Sequence, residues 1–256
     1  MFRPRVIPVL LLKNNGLVKS VKFKNHKYVG DPINAVKILN DFKADELVFL
    51  DILASAENRK ISVEFVRKVG DEANMPYAVG GGIRSIQDIK EIINAGAEKV
   101  VINSCAAVNP EFIRQASDEF GSSTIVISID VKKKFLGKKQ VYIYGGSKAT
   151  GMDPVEFTRA MEKKGAGEII INSMEKDGTM EGYDLDLVKS ISDAVTIPVV
   201  ALGGAGTFDD FKDAVARSHA SAVAAGSMFV FHGPRKAVLV NYPDLKDLNK
   251  VFHSEK

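Results

Sequence analysis

The chain has 256 residues, 45% of them apolar and 26% charged, with a formal net charge of +3. That size fits one large α/β barrel or two small domains, and so small a net charge gives no argument for a nucleic-acid partner. A single cysteine, Cys105, excludes an internal disulfide and suits a reducing cytoplasm, while the four histidines (His26, His219, His232 and His253) lack metal-ligand spacing, so neither metal nor cofactor is expected.

In chain order, the apolar run Val6–Leu12 predicts a first strand. It contains Pro8, is too short for a membrane span and has no signal-peptide cleavage pattern. Lys13–Asp31 is long, basic and glycine-bearing, which suits a functional loop or lid facing an anionic substrate; a solvated charged hairpin is the plainer reading. Pro32–Phe42 reads as a helix with proline at its first turn, Leu47–Ile52 as a strand ending at Asp51, and Ile61–Glu72 as a helix. Tyr77–Val79 runs into Gly80–Gly82, a helix follows with Ile86, Ile89, Ile92 and Ile93 on one face, and Lys99–Ile102 stops at Asn103-Ser104. Thr124–Asp130 is the fifth strand, followed by a Lys-rich excursion (Lys132–Lys139), Val141–Tyr144 and a helix from Pro154. Glu168–Asn172, Val199–Leu202 and Ala222–Ala225 complete the strands, and Pro234–Val240 and Asp244–Phe252 are expected to end the chain as helix.

The second half repeats the first. An offset of 122 residues carries Gly81-Gly82 onto Gly203-Gly204, Glu46 onto Glu168 and Pro32 onto Pro154. Eight strands alternating with helices in two equivalent halves predict a closed parallel (β/α)8 TIM barrel, one domain over 1–256 with half-barrels of about 1–122 and 123–256. An open doubly wound sheet is the alternative, but it leaves the repeat unexplained. The active site of such a barrel lies at the carboxyl ends of its strands. Two of those ends, Gly81-Gly82 with Asn103-Ser104 and Gly203-Gly204 with Gly226-Ser227, are rich in glycine and serine and suit phosphate. The two-fold sets them on opposite sides of the mouth, which implies an elongated substrate phosphorylated at both ends. Asp130, closing the apolar strand TIVISID, is the acid/base candidate. Asp177 could cap or position the Gly178 loop, and Asp51 could orient partners.

The stretches GDPINAVKILNDFKADELVFLDI, VGGGIRSIQDIKEIINAGAEKVVINS, SMEKDGTMEGYD and IPVVALGGAG resemble the cyclase subunit of imidazole glycerol phosphate synthase over nearly the whole chain. The resemblance implies a barrel that takes ammonia from a glutaminase partner and uses it to split and cyclise a ribonucleotide phosphorylated at both ends. By position it implies catalytic roles for Asp130 and the loop lysine Lys19. It implies substrate and phosphate contacts at Asp51, Gly82, Asn103, Ser104, Asn172, Asp177, Gly178, Gly204, Gly226 and Ser227. At the barrel's N-terminal face, where the glutaminase would dock, it implies an ammonia gate of Arg5, Glu46, Lys99 and Glu168; a stabilising salt-bridge ring is the plainer reading of those four.

One position departs from the family. Its aspartate at the end of the first strand is Leu11 here, in VLLLKNNGLVKS, and the internal alignment likewise sets Leu11 opposite Asp130. Leucine relays no proton. The same stretch, continued to VGDP, resembles cyclase-like paralogues of surface-polysaccharide pathways, which implies a second possibility: an ammonia conduit serving a sugar amidotransferase that turns an acetamido into an acetamidino group.

Overall fold

The structure, a computed structural model, describes residues 3–134, 137–233 and 235–253. Its strands are β1 (Arg5–Lys13), β2 (Gly16–Val21), β3 (Lys24–Gly30), β4 (Leu47–Asp51), β5 (Tyr77–Gly80), β6 (Lys99–Ile102), β7 (Ile125–Lys133), β8 (Lys139–Ile143), β9 (Lys148–Ala149), β10 (Glu168–Ser173), β11 (Val199–Leu202), β12 (Ala222–Ala225), β13 (Phe231–His232) and β14 (Ala237–Val238). Its helices are α1 (Pro32–Asp41), α2 (Val63–Glu72), α3 (Ile86–Asn94), α4 (Ser104–Val108), α5 (Pro110–Phe120), α6 (Pro154–Lys163), α7 (Leu185–Ser192), α8 (Phe208–Ser218) and α9 (Leu245–His253).

Eight of the strands pair in parallel around a closed ring: β1, β4, β5, β6, β7, β10, β11, β12 and back to β1. The chain is therefore a (β/α)8 barrel, and the open sheet is excluded. Alternate residues of each strand face opposite ways. Ile7, Val9, Val48, Val101, Val126 and Ile170 pack inside the barrel. Val6, Leu10, Leu47, Phe49, Val100 and Ile169 pack outward against the helices. Both faces are buried, so the strand sequences read as unbroken apolar runs.

Local chemistry sets the helix starts. Asp31 accepts the Asn34 N–H with Pro32 at the first turn, and Asp153 does the same for α6 ahead of Pro154. Reciprocal capping boxes, Ser85 with Asp88 and Thr207 with Asp210, open α3 and α8. Among the described residues no helix is long and apolar enough to cross a membrane.

Of the two readings of Lys13–Asp31, the structure shows the hairpin: β1 runs on to Lys13, turns at Asn14-Asn15 (φ 50° and 62°) and continues as the hairpin β2–β3, while two other expectations need correction. Asparagine tolerates that left-handed backbone, and Leu17 and Val18 bury their side chains, so the segment is held as strand. The Lys-rich excursion begins later than expected, since β7 extends to Lys133 and pairs antiparallel with β8; residues 135–136 lie outside the described residues. The expected helix Pro234–Val240 is not helical over 235–240, where β14 pairs antiparallel with β13; Pro234 itself lies outside the described residues. Two consecutive valine-alanine residues there find backbone partners in β13, which a helical reading of short apolar runs cannot anticipate.

Candidate active site at the barrel mouth

At the carboxyl ends of the ring strands lies a cavity of about 250 Å³. Lys19, Asp51, Gly82, Asn103, Ser104, Asp130, Asn172, Asp177, Gly178, Gly204, Gly226 and Ser227 all line it. The structure thus gathers every mouth residue named from the sequence into one site.

Asp130 sits in the wall as a buried carboxyl, 9% exposed. Asn172 Nδ2 donates to its Oδ1 at 3.0 Å and Asn103 Nδ2 to its Oδ2 at 3.2 Å. Burial, reinforced by repulsion from Asp177, pushes the Asp130 carboxyl up to about 7 against the two amide bonds that favour its charge. A carboxyl titrating near neutrality can both take and give a proton there. Asp177 is also pushed up by burial, partly offset by the hydrogen bonds it accepts from the Phe23 N–H and the Ser20 hydroxyl.

Lys19 reaches the cavity from the hairpin. Its Nζ donates to the Val9 carbonyl at 2.6 Å, and burial lowers it to about 8, Asp177 opposing that shift. The hairpin is tied down across the mouth by Asp177: the Lys22 N–H donates to its carbonyl oxygen at 2.9 Å. Lys22 and Phe23 adopt φ of 52° and 62°, a conformation a bulky side chain rarely takes, and these bonds to Asp177 hold it.

The two glycine-rich loops demand glycine. Gly82 (φ 67°) and Gly204 (φ 118°) have left-handed backbones, and a Cβ would collide with the carbonyl oxygens of Arg59 and Gly182 respectively. Ser104 Oγ accepts the Tyr144 N–H at 2.9 Å, which ties β6 to the segment after β8. Asp51 accepts the Leu53 and Ala54 N–H groups and pairs with Arg59 at 2.5 Å, so it orders the segment after β4. Leu11 lines the same cavity beside Leu50, its partner across β1–β4, and places no polar atom there.

The sequence reading missed Arg59, which holds Asp51, and the hairpin residues Phe23 and His26, which also line the cavity. ENRK carries no periodic signal, and His26 becomes part of the site only once the hairpin folds over the mouth.

At the opposite end, Arg5, Glu46, Lys99 and Glu168 form a closed ring of alternating charge. Arg5 binds both glutamates, and Lys99 binds them at 2.9 and 3.0 Å. Glu46 and Glu168 are buried, 3% and 6% exposed. Between ring and mouth the barrel's interior is mostly aliphatic, with the buried Ser128 facing inward between Val126 and Asp130.

Comparison with known proteins settles the family. The model of the histidine biosynthesis protein family matches residues 5–234. The chain belongs to this family. It is 45% identical over 232 residues to the imidazole glycerol phosphate synthase subunit HisF of Alkaliphilus metalliredigens, covering 91% of this chain and 92% of that one. It is 47% identical over 249 residues to a Pseudomonas aeruginosa protein provisionally named imidazole glycerol phosphate synthase subunit hisF2, covering 97% and 99%. A Leptospira interrogans protein, provisionally named as the HisF subunit, is 41% identical over 254 residues, covering 99% and 100%. The fold and these relatives make the chain a HisF-type barrel.

Proposed function

We propose that this barrel is the cyclase-type subunit of a glutamine amidotransferase complex. A glutaminase docks at the Arg5/Lys99 face, ammonia passes the charged ring and the aliphatic interior, and a ribonucleotide phosphorylated at both ends spans the mouth. Its phosphates lie at Gly82/Asn103/Ser104 and at Gly178/Gly204/Gly226/Ser227, and Asp130 moves the proton during cyclisation. The observation that carries this reading is Asp130 itself: a buried carboxyl, held by two amides and titrating near 7, in the same cavity as both glycine-rich loops. Calorimetry with bisphosphorylated and singly phosphorylated ribonucleotides tests it. Loss of either phosphate is expected to weaken binding by at least about tenfold; equal affinity would remove the two-site reading.

Leu11 favours a second reading, in which the barrel mainly conducts ammonia to a sugar amidotransferase making an acetamidino group. Leu11 and Leu50 continue the apolar interior into the mouth, where a second proton-transfer group would otherwise stand. Glutamine-dependent amidation by a mixture of glutaminase, this chain and the amidotransferase, unchanged by Asp130→Asn, would favour this reading over the first.

A further inference from the structure

Two acid-free segments cross the barrel mouth. Residues 13–30 and 131–152 contain eleven lysines and no aspartate, glutamate or arginine. The whole chain carries a net charge of only +3, so everything outside these segments is net negative. The molecule is polarised, with its positive pole where the two segments lie. Lys19 is buried and Lys139 pairs with Asp184, but eight of the lysines are exposed, and none of those eight forms an ion pair among the described residues.

The fold brings the two segments together. The hairpin β2–β3 belongs to the first, and β8 and β9 belong to the second. The turn after β8 lies against the first hairpin, since a Cβ on residue 146 would stand 2.8 Å from the Phe23 ring. Ser20, Phe23 and His26 of one segment and Tyr144 and Gly145 of the other line the mouth cavity, so together they frame its opening. Beside them a groove of about 410 Å³ is bordered by Lys22, Lys24, Lys132 and Glu175. Large apolar side chains stand among the lysines. Val21, Tyr144 and Met152 are exposed, and Tyr28 is 65% exposed.

Lysines that steer by charge, set among aromatic and aliphatic anchors, suit a protein partner. A small anion in the cavity has no use for Tyr28 or Met152, neither of which lines it. Arginine, whose planar fork matches the phosphates of a nucleic acid, is absent from both segments. Whatever covers the opening must also receive what leaves it. Ammonia released into neutral water takes up a proton and loses its nucleophilic lone pair, so a conduit works only if its exit meets the acceptor's own site.

We propose that the two lysine-rich segments are the dock for the enzyme that accepts the ammonia, a sugar amidotransferase with an acidic face seated over the cavity opening. The lysines draw that face in, Tyr28 and its apolar neighbours bury against it, and the exit opens into the acceptor rather than into solvent. The inference rests on the ammonia-conducting reading and adds to it the place where the acceptor sits.

The test uses the full chain, its glutaminase and the purified sugar amidotransferase of the same organism. Lys24→Glu, Lys132→Glu and Lys148→Glu are combined; all three side chains are exposed and none lines the cavity. Binding of the amidotransferase is read by interferometry at low and high salt. The parent is expected to bind, more weakly as salt rises, and the triple variant to bind at least about tenfold more weakly than the parent at low salt. Lys24→Arg, Lys132→Arg and Lys148→Arg together keep the charge and are expected to bind as the parent does. Tyr28→Ala is expected to weaken binding at either salt. In the coupled assay the charge-reversed variant lowers glutamine-driven amidation, while amidation from ammonium salt and glutamine hydrolysis stay at parental values. Equal binding by parent and charge-reversed variant overturns the dock, as does a loss of affinity seen only for anionic phospholipid vesicles or duplex DNA. Salt-sensitive binding without glutamine-driven amidation would leave the dock standing and remove the ammonia-conducting reading. Glutamine-driven amidation untouched by charge reversal would do the reverse.

Discussion

Asp130→Asn separates what this residue does for chemistry from what it does to stability. The carboxyl has an ordinary value of 3.8 and titrates at about 7 in the fold. A shift of roughly three units corresponds to about 4 kcal/mol. The folded state holds the proton more tightly, so between about pH 4 and pH 7 it binds more protons than the unfolded chain, and stability falls as pH rises. The penalty is absent below the unfolded value, fully present above about 7, and caused by an ionised group that burial disfavours. Asparagine removes the titration. It also turns an N–H pair toward a site where Asn103 and Asn172 both donate, which costs about 1–3 kcal/mol whatever the pH. The absolute stability of the variant therefore depends on how the amides rearrange, but its pH dependence does not. Urea unfolding at pH 4.5, 6 and 8 is expected to show the variant gaining about 3–4 kcal/mol on the parent across that range. A stability difference flat with pH would show that Asp130 titrates at its ordinary value, and the account of the mouth as a tuned acid/base site would fall with it.

Other outcomes follow from the same contacts. Leu11→Asp is expected to raise cyclisation by about 10²–10⁴-fold, measured as initial rate with ammonium salts, because it returns a proton-transfer group to the wall facing the cavity; an unchanged rate would show that Leu11 is no handicap. Asp177→Ala removes the carboxylate that accepts the Phe23 N–H and the Ser20 hydroxyl while keeping the main-chain bond from Lys22, so it should loosen the turn and speed tryptic cleavage at Lys22, Lys24 or Lys27, read by mass spectrometry, whereas cleavage as slow as in the parent would show that the carboxylate does not hold the hairpin. Glu46→Ala leaves Arg5 and Lys99 with only Glu168 between them and should cost up to about 3 kcal/mol in urea unfolding. Phe211→Ala opens a cavity between α8 and Phe229 and should cost about 3–5 kcal/mol.

The barrel was legible because its strands are buried on both faces and its helices begin with strong local signals. LVFL, VVAL and AVAA are short apolar runs set between helix-period stretches, the spacing of strands buried on both faces, and Asp31-Pro32 and Asp153-Pro154 mark helix starts without tertiary help. The mouth was legible for a related reason: residues that end barrel strands have no choice but to meet, so Asp130, Asn103 and Asn172 came together as read. The hairpin β2–β3 was harder. Its β3 half, KNHKYVG, is mostly exposed and lysine-rich, and it becomes strand through pairing with β2 and anchoring by Asp177, interactions remote in sequence. The Asp51–Arg59 pair and the small β13–β14 hairpin were hidden for the same reason, since neither has a periodic pattern and each depends on a partner outside its own segment.

The most direct test of the central claim is turnover by the unmodified chain of a ribonucleotide phosphorylated at both ends, supplied with ammonium salt in place of a glutaminase. The account predicts slow, saturable cyclisation that Asp130→Asn abolishes. No turnover by the unmodified chain, with cyclisation appearing only in Leu11→Asp, would contradict it and leave the barrel as a conduit for ammonia.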